Sequence, residues 1–408
     1  RELIYQNGEY YDPNKIEKSK RRLKETGIYS LINITPVKVS DSDSLVNIVL
    51  TLSEFKQREW LSVGGFEPIE FYEGLDPLPS LGGFIEWRNR SIFNTNSNFS
   101  TKFLIGFPWE TNFSLPRLRY DIGFDTNWIL GFRWPTKLNS FYETLINYDQ
   151  ENIDQVERYG LEMLQRVMLD ERSYFQNITV WENFSDNSVN SLDTSGAINS
   201  IISVKNLQQR SLSFRLHIDK KDDPLFPKKG FLLDLYFKST GYLLGGERDY
   251  YKLDFSFQKY FKLSRKSVLA TRFKFGRLWS WEDSYLDYSY EKFYLGGSAN
   301  MRGWDILKYS TSNNLGDVPL GGTFRYLTNI EFRNQLNQNL GMYLFFDGGI
   351  LSEDFDRLIK SRLGWDIGLG LTISTPLGPV RLDYAIPRIN NEVILSNGKF
   401  NFGVQYLF

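Results

Sequence analysis

The sequence alternates apolar and polar residues in segments of about ten residues, and this pattern recurs through most of the chain. In residues 365–373 every second residue is apolar, and the residues between them are polar or glycine. In residues 400–408 every second residue is again apolar, and most of these residues are aromatic. Because successive side chains of a β-strand point to opposite faces of its sheet, this period of two predicts strands with one fully apolar face.

The apolar face of these strands is rich in aromatic residues, which make up 16% of the sequence. A soluble β-sandwich also alternates, but its apolar face is expected to be aliphatic and packs inside the protein. Aromatic residues are typical of the lipid-facing side of transmembrane barrels, whose lumen-facing residues are polar. We therefore predict an all-β transmembrane barrel over residues 57–408, closed so that no sheet edge meets lipid.

The spacing of the alternating segments predicts about sixteen antiparallel strands for this barrel. About eleven of them are expected before residue 304, the first beginning near Trp60. Between residues 126 and 207 the count is open: the stretch 159–170 fits a helix or a strand, and the stretch 136–157 fits an insertion. The other strands are expected near 323–333, 340–349, 363–375, 379–387 and 399–408.

The composition argues against several classes of site. The chain has no Cys, which excludes disulfides and thiolate metal sites, and its single His makes zinc catalysis or a histidine-based triad a poor expectation. A net charge of −1 argues against nucleic acid as a partner. We expect no enzymatic activity, no metal site and no cofactor.

Residues 1–56 show a different pattern. A helix is predicted over 14–25, with Asp12 as its cap and Gly27 at its end, and two strands are expected near 31–39 and 45–52. A helix and two strands bury too little apolar surface to be stable alone. We therefore predict the C-terminal part of a small α+β domain, whose remaining elements lie upstream of Arg1.

A glycine-rich stretch, residues 294–304, separates the two groups of predicted strands. Its key positions are Gly296, Gly297, Met301, Arg302, Gly303 and Trp304. This stretch resembles the signature loop of the outer-membrane protein assembly superfamily, which includes BamA-like and TamA-like barrels. Three further stretches match motifs of the same family, at residues 219–231, 345–349 and 378–384, and the terminal Phe408 resembles the sorting signal of bacterial outer-membrane barrels.

The resemblance implies a sixteen-stranded barrel in the bacterial outer membrane. It also implies that residues 1–56 belong to a polypeptide-transport-associated domain, which lies in the periplasm. The signature loop is expected to fold back into the barrel, so that Arg302 contacts acidic residues of the wall. Parity places Glu331 and Asp347 on the polar, lumen-facing side of their strands, and the resemblance implies that these two carboxylates are the partners of Arg302.

The first and last strands of such a barrel meet at one seam. The seam positions are predicted to be Trp60, Leu61, Val63, Gly64, Gly65, Phe402, Val404, Tyr406 and Phe408. The pair Gly64–Gly65 has no side chains to pack, and glycine is unfavourable inside a strand, so the seam is expected to be weak. An open seam presents an unpaired strand edge to which another strand can add.

The family resemblance favours the assembly of β-barrel proteins in the outer membrane, or translocation assembly, through this seam. The partners would then be outer-membrane lipids, unfolded β-barrel clients, and periplasmic chaperones or accessory subunits such as lipoproteins. Two alternatives stay open at this point. One is a secretion pore of the two-partner kind, and the other is the barrel of a patatin-like lipase whose enzyme domain lies upstream.

Overall fold

The computed structural model describes most of the chain, and the structural statements below concern these residues. They are residues 1–39, 45–69, 78–92, 95–108, 116–148, 153–189, 202–280, 291–309, 321–337, 339–352, 363–375, 378–389, 392–393 and 398–404.

A helix and a hairpin form the N-terminal part, as the sequence predicts. Helix α1 spans Pro13–Glu25, and the side chain of its N-cap, Asp12, accepts a hydrogen bond from the Asn14 N–H at 2.9 Å. Gly27, just after the helix, has a φ of 66°, a left-handed conformation that favours glycine at a helix end. The hairpin consists of β1 (Tyr29–Lys38) and β2 (Val46–Glu54), which pair antiparallel.

Sixteen long strands form the barrel wall, which confirms the predicted number. They are β3 (Arg58–Ile69), β4 (Leu78–Asn89), β5 (Ser97–Pro108), β6 (Arg117–Ile129), β7 (Phe132–Tyr148), β8 (Ile153–Met168), β9 (Tyr174–Val189), β10 (Ile202–Asp219), β11 (Gly230–Thr240), β12 (Tyr250–Lys262), β13 (Ser267–Trp279), β14 (Phe324–Gln335), β15 (Leu340–Ser352), β16 (Gly364–Thr375), β17 (Gly378–Ile389) and β19 (Lys399–Val404). A two-residue strand, β18 (Glu392–Val393), pairs with the end of β17.

The strands between residues 126 and 207 settle the alternatives that the sequence left open. Strands β7, β8 and β9 fill most of this region, so it contains neither a helix nor a separate insertion among its described residues. These strands and β10 are longer than the roughly 9–11 residues that a strand needs to cross a bilayer. These strands therefore extend beyond the apolar layer of the bilayer. In the part that lies beyond it, neither face of the strand needs apolar residues.

All pairings between neighbouring strands of the wall are antiparallel, and the strand order is cyclic, with β19 followed by β3. Each neighbouring pair of long strands is joined residue by residue, from β3–β4 around to β17–β19. In the described part of the chain, however, no residue pairing joins β19 to β3. The strand order is nevertheless that of a closed barrel, in which β19 lies next to β3.

The two faces of the wall differ as the alternation predicts. Large apolar side chains such as Leu344, Leu369 and Ile373 are exposed on the outer face. The inner face carries buried charges, among them Glu143, which Arg117 and Arg119 contact. An exposed apolar exterior and a paired, charged interior are the features of a transmembrane barrel.

Within the described ranges, no helix is both long enough and apolar enough to span a bilayer.

Candidate functional site

The connection between β13 and β14 turns inward and lies against the lumen side of the wall. We call its described residues, 291–309, the signature loop. Gly296 and Gly297 have φ values of 110° and 102°, and a Cβ on Gly296 would lie 2.3 Å from the carbonyl oxygen of Asp305. The side-chain oxygen of Asn300 accepts hydrogen bonds from the N–H groups of Gly296 and Met301, both at 2.7 Å. The two glycines therefore form the tight turn of the loop itself.

Apolar side chains of the signature loop are buried inside the barrel. They form one cluster with residues of the wall: Tyr250, Leu278, Phe293, Leu295, Met301, Trp304, Tyr309, Leu327 and Leu351. The rings of Trp304 and Tyr309 meet edge to face at 5.2 Å. Burying a large apolar side chain contributes about 1.5–3 kcal/mol, so this cluster holds the loop inside the barrel.

Arg302 is fully buried and binds two carboxylates of the wall. Its Nε and Nη2 atoms donate to the two carboxylate oxygens of Asp347, both at 2.8 Å. Its Nη1 donates to Glu331 Oε1 at 2.7 Å. The contacts expected from the sequence are thus present, and the forked guanidinium explains why arginine suits this position better than lysine.

The partners of Arg302 are themselves held by other polar groups. Asp347 also accepts a hydrogen bond from Asn329 Nδ2 at 2.7 Å, and Glu331 accepts one from Arg333 Nε at 2.8 Å. The guanidinium carbon of Arg302 lies 3.5 Å from the ring centre of Phe345. A buried ion pair is stable only when its remaining hydrogen-bonding groups are satisfied, and this network meets that condition for the two acids.

Gly303 is the glycine of the signature loop that contacts the wall. Its N–H donates to Asp366 Oδ2 at 3.0 Å. A Cβ at this position would lie 2.8 Å from side-chain carbons of both Asp366 and Pro387, closer than atoms pack. Only glycine therefore fits here, whereas Gly296 and Gly297 contact the loop's own backbone and side chains.

Two residues of the last strand also bind the signature loop. Asn401 Nδ2 donates to the carbonyl oxygen of Arg302 at 2.7 Å. Lys399 Nζ donates to Asp305 Oδ1 at 2.5 Å and to the carbonyl oxygen of Trp304 at 3.1 Å. The loop is thus bound to β19 as well as to β14 and β15.

The start of the signature loop is bound at a second charged centre. Glu291 accepts hydrogen bonds from Lys238 Nζ at 2.8 Å, from Lys252 Nζ at 3.0 Å and from the Tyr250 hydroxyl at 2.8 Å. Burial alone would raise the pKa of Glu291, but the two lysines outweigh it and hold this pKa well below its ordinary value. Glu291 therefore stays ionised and fixes the loop to β11 and β12.

The first strand at the seam is exposed on both faces. The exposed fraction is 73% for Trp60, 40% for Leu61 and 39% for Val63. Leu61 lies opposite the buried Glu86 of β4, which places Leu61 on the lumen side, and Trp60 takes the other side. The strand nearest the seam therefore has apolar residues on both faces.

Glycines lie opposite each other next to the seam. Gly64 pairs with Gly83, and Gly65 pairs with Gly82. A Cβ on Gly83 would lie 2.2 Å from the carbonyl oxygen of Val63, so the two strands approach more closely than side chains allow. This part of β3 consequently has little side-chain packing against its neighbour.

Comparison with known proteins identifies the family of the chain. Residues 89–408 match the model of the Omp85 superfamily domain. This match covers the barrel from the end of β4 onward, including the signature loop and both of its acidic partners. The chain belongs to the Omp85 superfamily.

Individual relatives of this Omp85 protein cover part of the chain. The outer membrane protein assembly factor BamA of Nitratidesulfovibrio vulgaris is 26% identical over 219 residues, which are 50% of this chain and 27% of that protein. The sorting and assembly machinery component 50 homolog of Xenopus tropicalis is 25% identical over 217 residues, or 48% of this chain and 46% of that protein. The chain therefore spans less than half the length of these two curated relatives.

A solved structure shows the same fold at low sequence identity. It is the crystal structure of BamA from Haemophilus ducreyi lacking POTRA domains 1–3, which matches with a TM-score of 0.68 and 15% identity. The match covers 98% of this chain and 79% of that one. At this identity the comparison supports the fold of this Omp85 barrel alone.

The N-terminal residues of this Omp85 protein bind the strand ends of the barrel that lie near helix α1. Arg133, at the start of β7, donates to Glu2 Oε2 at 3.0 Å and also contacts Glu25 of α1. The Trp128 indole N–H donates to the other oxygen of Glu2 at 2.6 Å. Arg90 donates to the carbonyl oxygen of Gly27 at 2.8 Å, which fixes the end of the helix beside β4.

The structure brings the predicted loop residues and their partners together, but it describes only part of the predicted seam. Tyr406 and Phe408 lie outside the described residues, and Val404 is described by its backbone alone. Phe402 lies on the exposed outer face of β19. Sequence reasoning missed Lys399 and Asn401, although their parity, opposite to that of Phe402, indicated that they point inward.

Proposed function

We propose that this Omp85 protein inserts β-barrel proteins into the bacterial outer membrane through a lateral seam between β3 and β19. The observation that carries the proposal is the sparse side-chain packing next to this junction. The strand order closes the barrel between β19 and β3, and β3 is paired to β4 through the opposed glycines Gly64–Gly83 and Gly65–Gly82. An unpaired edge offers N–H and C=O groups to a client strand, which can pair there and then pass sideways into lipid.

The first strand has properties that suit it to this role. Trp60 lies on its outer face and Leu61 and Val63 on its lumen face, so a client strand meets apolar residues on both sides of the edge. The glycine pairs behind it leave β3 with little packing against β4. A movement of β3 relative to β4 therefore disturbs few side-chain contacts at these positions.

In this proposal the signature loop keeps the rest of the wall in place while the seam opens. Arg302 connects β14 and β15 through Glu331 and Asp347, and Gly303 contacts β16 through Asp366. A barrel that opens along one line needs such a brace, because a general loosening would expose unpaired backbone groups to lipid. A plug that only rigidifies a closed barrel would make the same contacts, so the role has to be tested by activity.

The names of the relatives support an assembly role. One is an outer membrane protein assembly factor and the other is a sorting and assembly machinery component. On this proposal the partners are outer-membrane lipids, unfolded β-barrel clients, and periplasmic chaperones or accessory subunits. In this proposal residues 1–56 belong to a polypeptide-transport-associated domain on the periplasmic side. The mechanism requires strand pairing and lateral movement, and it involves no covalent chemistry.

The proposal is tested with the protein reconstituted into liposomes. An unfolded β-barrel client is added outside, and its acquisition of a protease-resistant, membrane-integrated fold is followed over time. We expect faster integration than in liposomes that contain a closed barrel of similar size without an inward loop. Equal rates would contradict the proposal, and delivery of the client into the liposome interior would favour a secretion pore.

A further inference from the structure

The last strand has two kinds of attachment, and one of them is to the signature loop. In the described residues, β19 pairs with β17 only along Val380–Ala385, whereas β16 pairs with β17 along all of Gly364–Thr375. Among the described residues, β19 therefore has fewer paired positions with its neighbour than β16 has. The hydrogen bonds from Lys399 and Asn401 to the loop add to this ladder.

The lumen-facing residues of β19 alternate with exposed aromatic ones. Lys399 and Asn401 point inward to the loop, and Phe400 and Phe402 are exposed on the outer face. Gly403, the next inward position, lies directly against Arg381 of β17. Each inward position of β19 from 399 to 403 therefore contacts either the loop or β17, and none of these contacts involves β3.

The wall contacts of the signature loop extend over consecutive strands that end at the seam. Beyond β14 and β15, the loop accepts a hydrogen bond from Arg272 of β13 on the Ala299 carbonyl oxygen at 3.0 Å, and one from Arg381 of β17 on the Ser298 carbonyl oxygen at 2.5 Å. With the contacts of Glu291 to β11 and β12, the described contacts link strands β11 to β17 and strand β19 to one loop.

From this geometry we propose that Lys399 and Asn401 tether the last strand to the signature loop, so that β19 and the loop move as one unit and the seam opens by departure of β3. This inference rests on the proposed lateral seam and specifies which side of it moves. Lys399 and Asn401 are positioning residues, because they act through the loop and contact no client in the structure.

The chemistry of the tether is consistent with its position at the lumen surface. The hydrogen bond from Lys399 holds the pKa of Asp305 below its ordinary value, although burial acts in the opposite direction. Asn401 donates to a carbonyl oxygen, which needs no charge. The tether thus has one ionic contact and one neutral contact, which two separate substitutions can remove.

The test measures whether β19 stays beside β17. The chain has no Cys, so cysteines introduced at 382 and 402 can carry spin labels without background. Leu382 and Phe402 are paired neighbours on the exposed outer face, and labels there should show strong dipolar broadening while β19 remains in place. A second label pair at 61 and 402 reports the seam itself. The measurement uses the protein in liposomes.

We expect the 382–402 broadening to be present in the parent protein and to be partly lost when Lys399→Ala and Asn401→Ala are combined. Lys399→Ala alone should cause a smaller loss, which keeps the test informative if the double variant folds poorly. Two controls should retain the broadening. Lys399→Arg keeps the charge, and Lys102→Ala removes an inward lysine of β5 that lies over Phe84 and does not contact the loop.

Unchanged 382–402 broadening in the double variant would overturn the tether, and so would its absence in the parent protein. These outcomes are independent of client insertion. If insertion fails in the liposome assay while the variant loses its broadening, the proposed function is wrong and the tether stands. If insertion succeeds while the double variant keeps its broadening, the proposed function is supported and the proposed tether is wrong.

Discussion

Replacing Arg302 with alanine should destabilise the barrel more than any exposed charge substitution. The change removes all three side-chain hydrogen bonds to Asp347 and Glu331, which are 2.7–2.8 Å long. It leaves Asp347 buried without the cation that binds it, and it leaves Glu331 buried with Arg333 as its cationic partner. Removing one partner of a buried ion pair typically costs about 3–5 kcal/mol, and we expect a loss in this range.

Two further variants resolve the physical origin of that loss. Arg302→Lys keeps the charge, but its single ammonium group cannot bind both acids as the forked guanidinium does. Its free energy of unfolding should therefore fall by about 1.5–3 kcal/mol, the value of one charge-assisted hydrogen bond. Adding Asp347→Asn to Arg302→Ala removes one uncompensated charge and should restore part of the stability. The coupling energy of this double-mutant cycle is expected to be about 1–3 kcal/mol.

The assay is urea unfolding of the barrel in lipid vesicles, followed by the fluorescence of its ten tryptophans. Arg88→Ala is the matched control, because Arg88 pairs with Glu86 on the same lumen face but is partly exposed. Arg88→Ala should lower the free energy of unfolding by about 0–1 kcal/mol. Equal effects of Arg302→Ala and Arg88→Ala would refute the reasoning, since they would show that burial adds nothing to the loop contact.

Three other predictions concern the loop, the N-terminal contact and a turn. Gly303→Ala should cost about 1–3 kcal/mol, because its Cβ has no space against the wall, and protease cleavage within the loop should become faster. Arg133→Ala should free Glu2 and Glu25, so that trypsin releases the N-terminal residues faster while urea unfolding of the barrel is unchanged. Asp222 accepts hydrogen bonds from backbone N–H groups of its own turn, which outweigh burial and lower its pKa. The stability it contributes is therefore present above the ordinary Asp pKa and is lost as the pH falls through the lowered value, a loss that Asp222→Asn should not show.

The fold was largely predictable because lipid imposes a strict period of two on membrane strands. That constraint made β16 and β19 readable from the sequence, and it also placed Glu331 and Asp347 in the lumen. The strands between residues 126 and 207 could not be predicted with the same rule, and the reason is physical. Strands β7 to β10 extend past the bilayer, where no apolar face is required, so their sequences lose the clean alternation.

The contacts that the sequence could not predict depend on how deeply the loop enters the barrel. Parity shows that Asn401 and Asp366 point inward, but it does not show which of many inward residues the loop reaches. The contact between Glu2 and Arg133 joins positions 131 residues apart, and no local pattern encodes it. Partners of this kind are fixed by the curvature of the wall and the path of the chain.

The central claim, that β3 and β19 separate during function, is tested most directly by locking the seam. Cysteines at positions 62 and 402, which both lie on the outer face of their strands, are oxidised to a disulfide in this Cys-free chain, and client insertion is measured before and after reduction. A control disulfide between positions 371 and 382, which are paired on β16 and β17, locks the wall away from the seam. The account predicts that insertion stops in the seam-locked protein, returns on reduction, and continues in the control. Normal insertion with the seam fully cross-linked would contradict it.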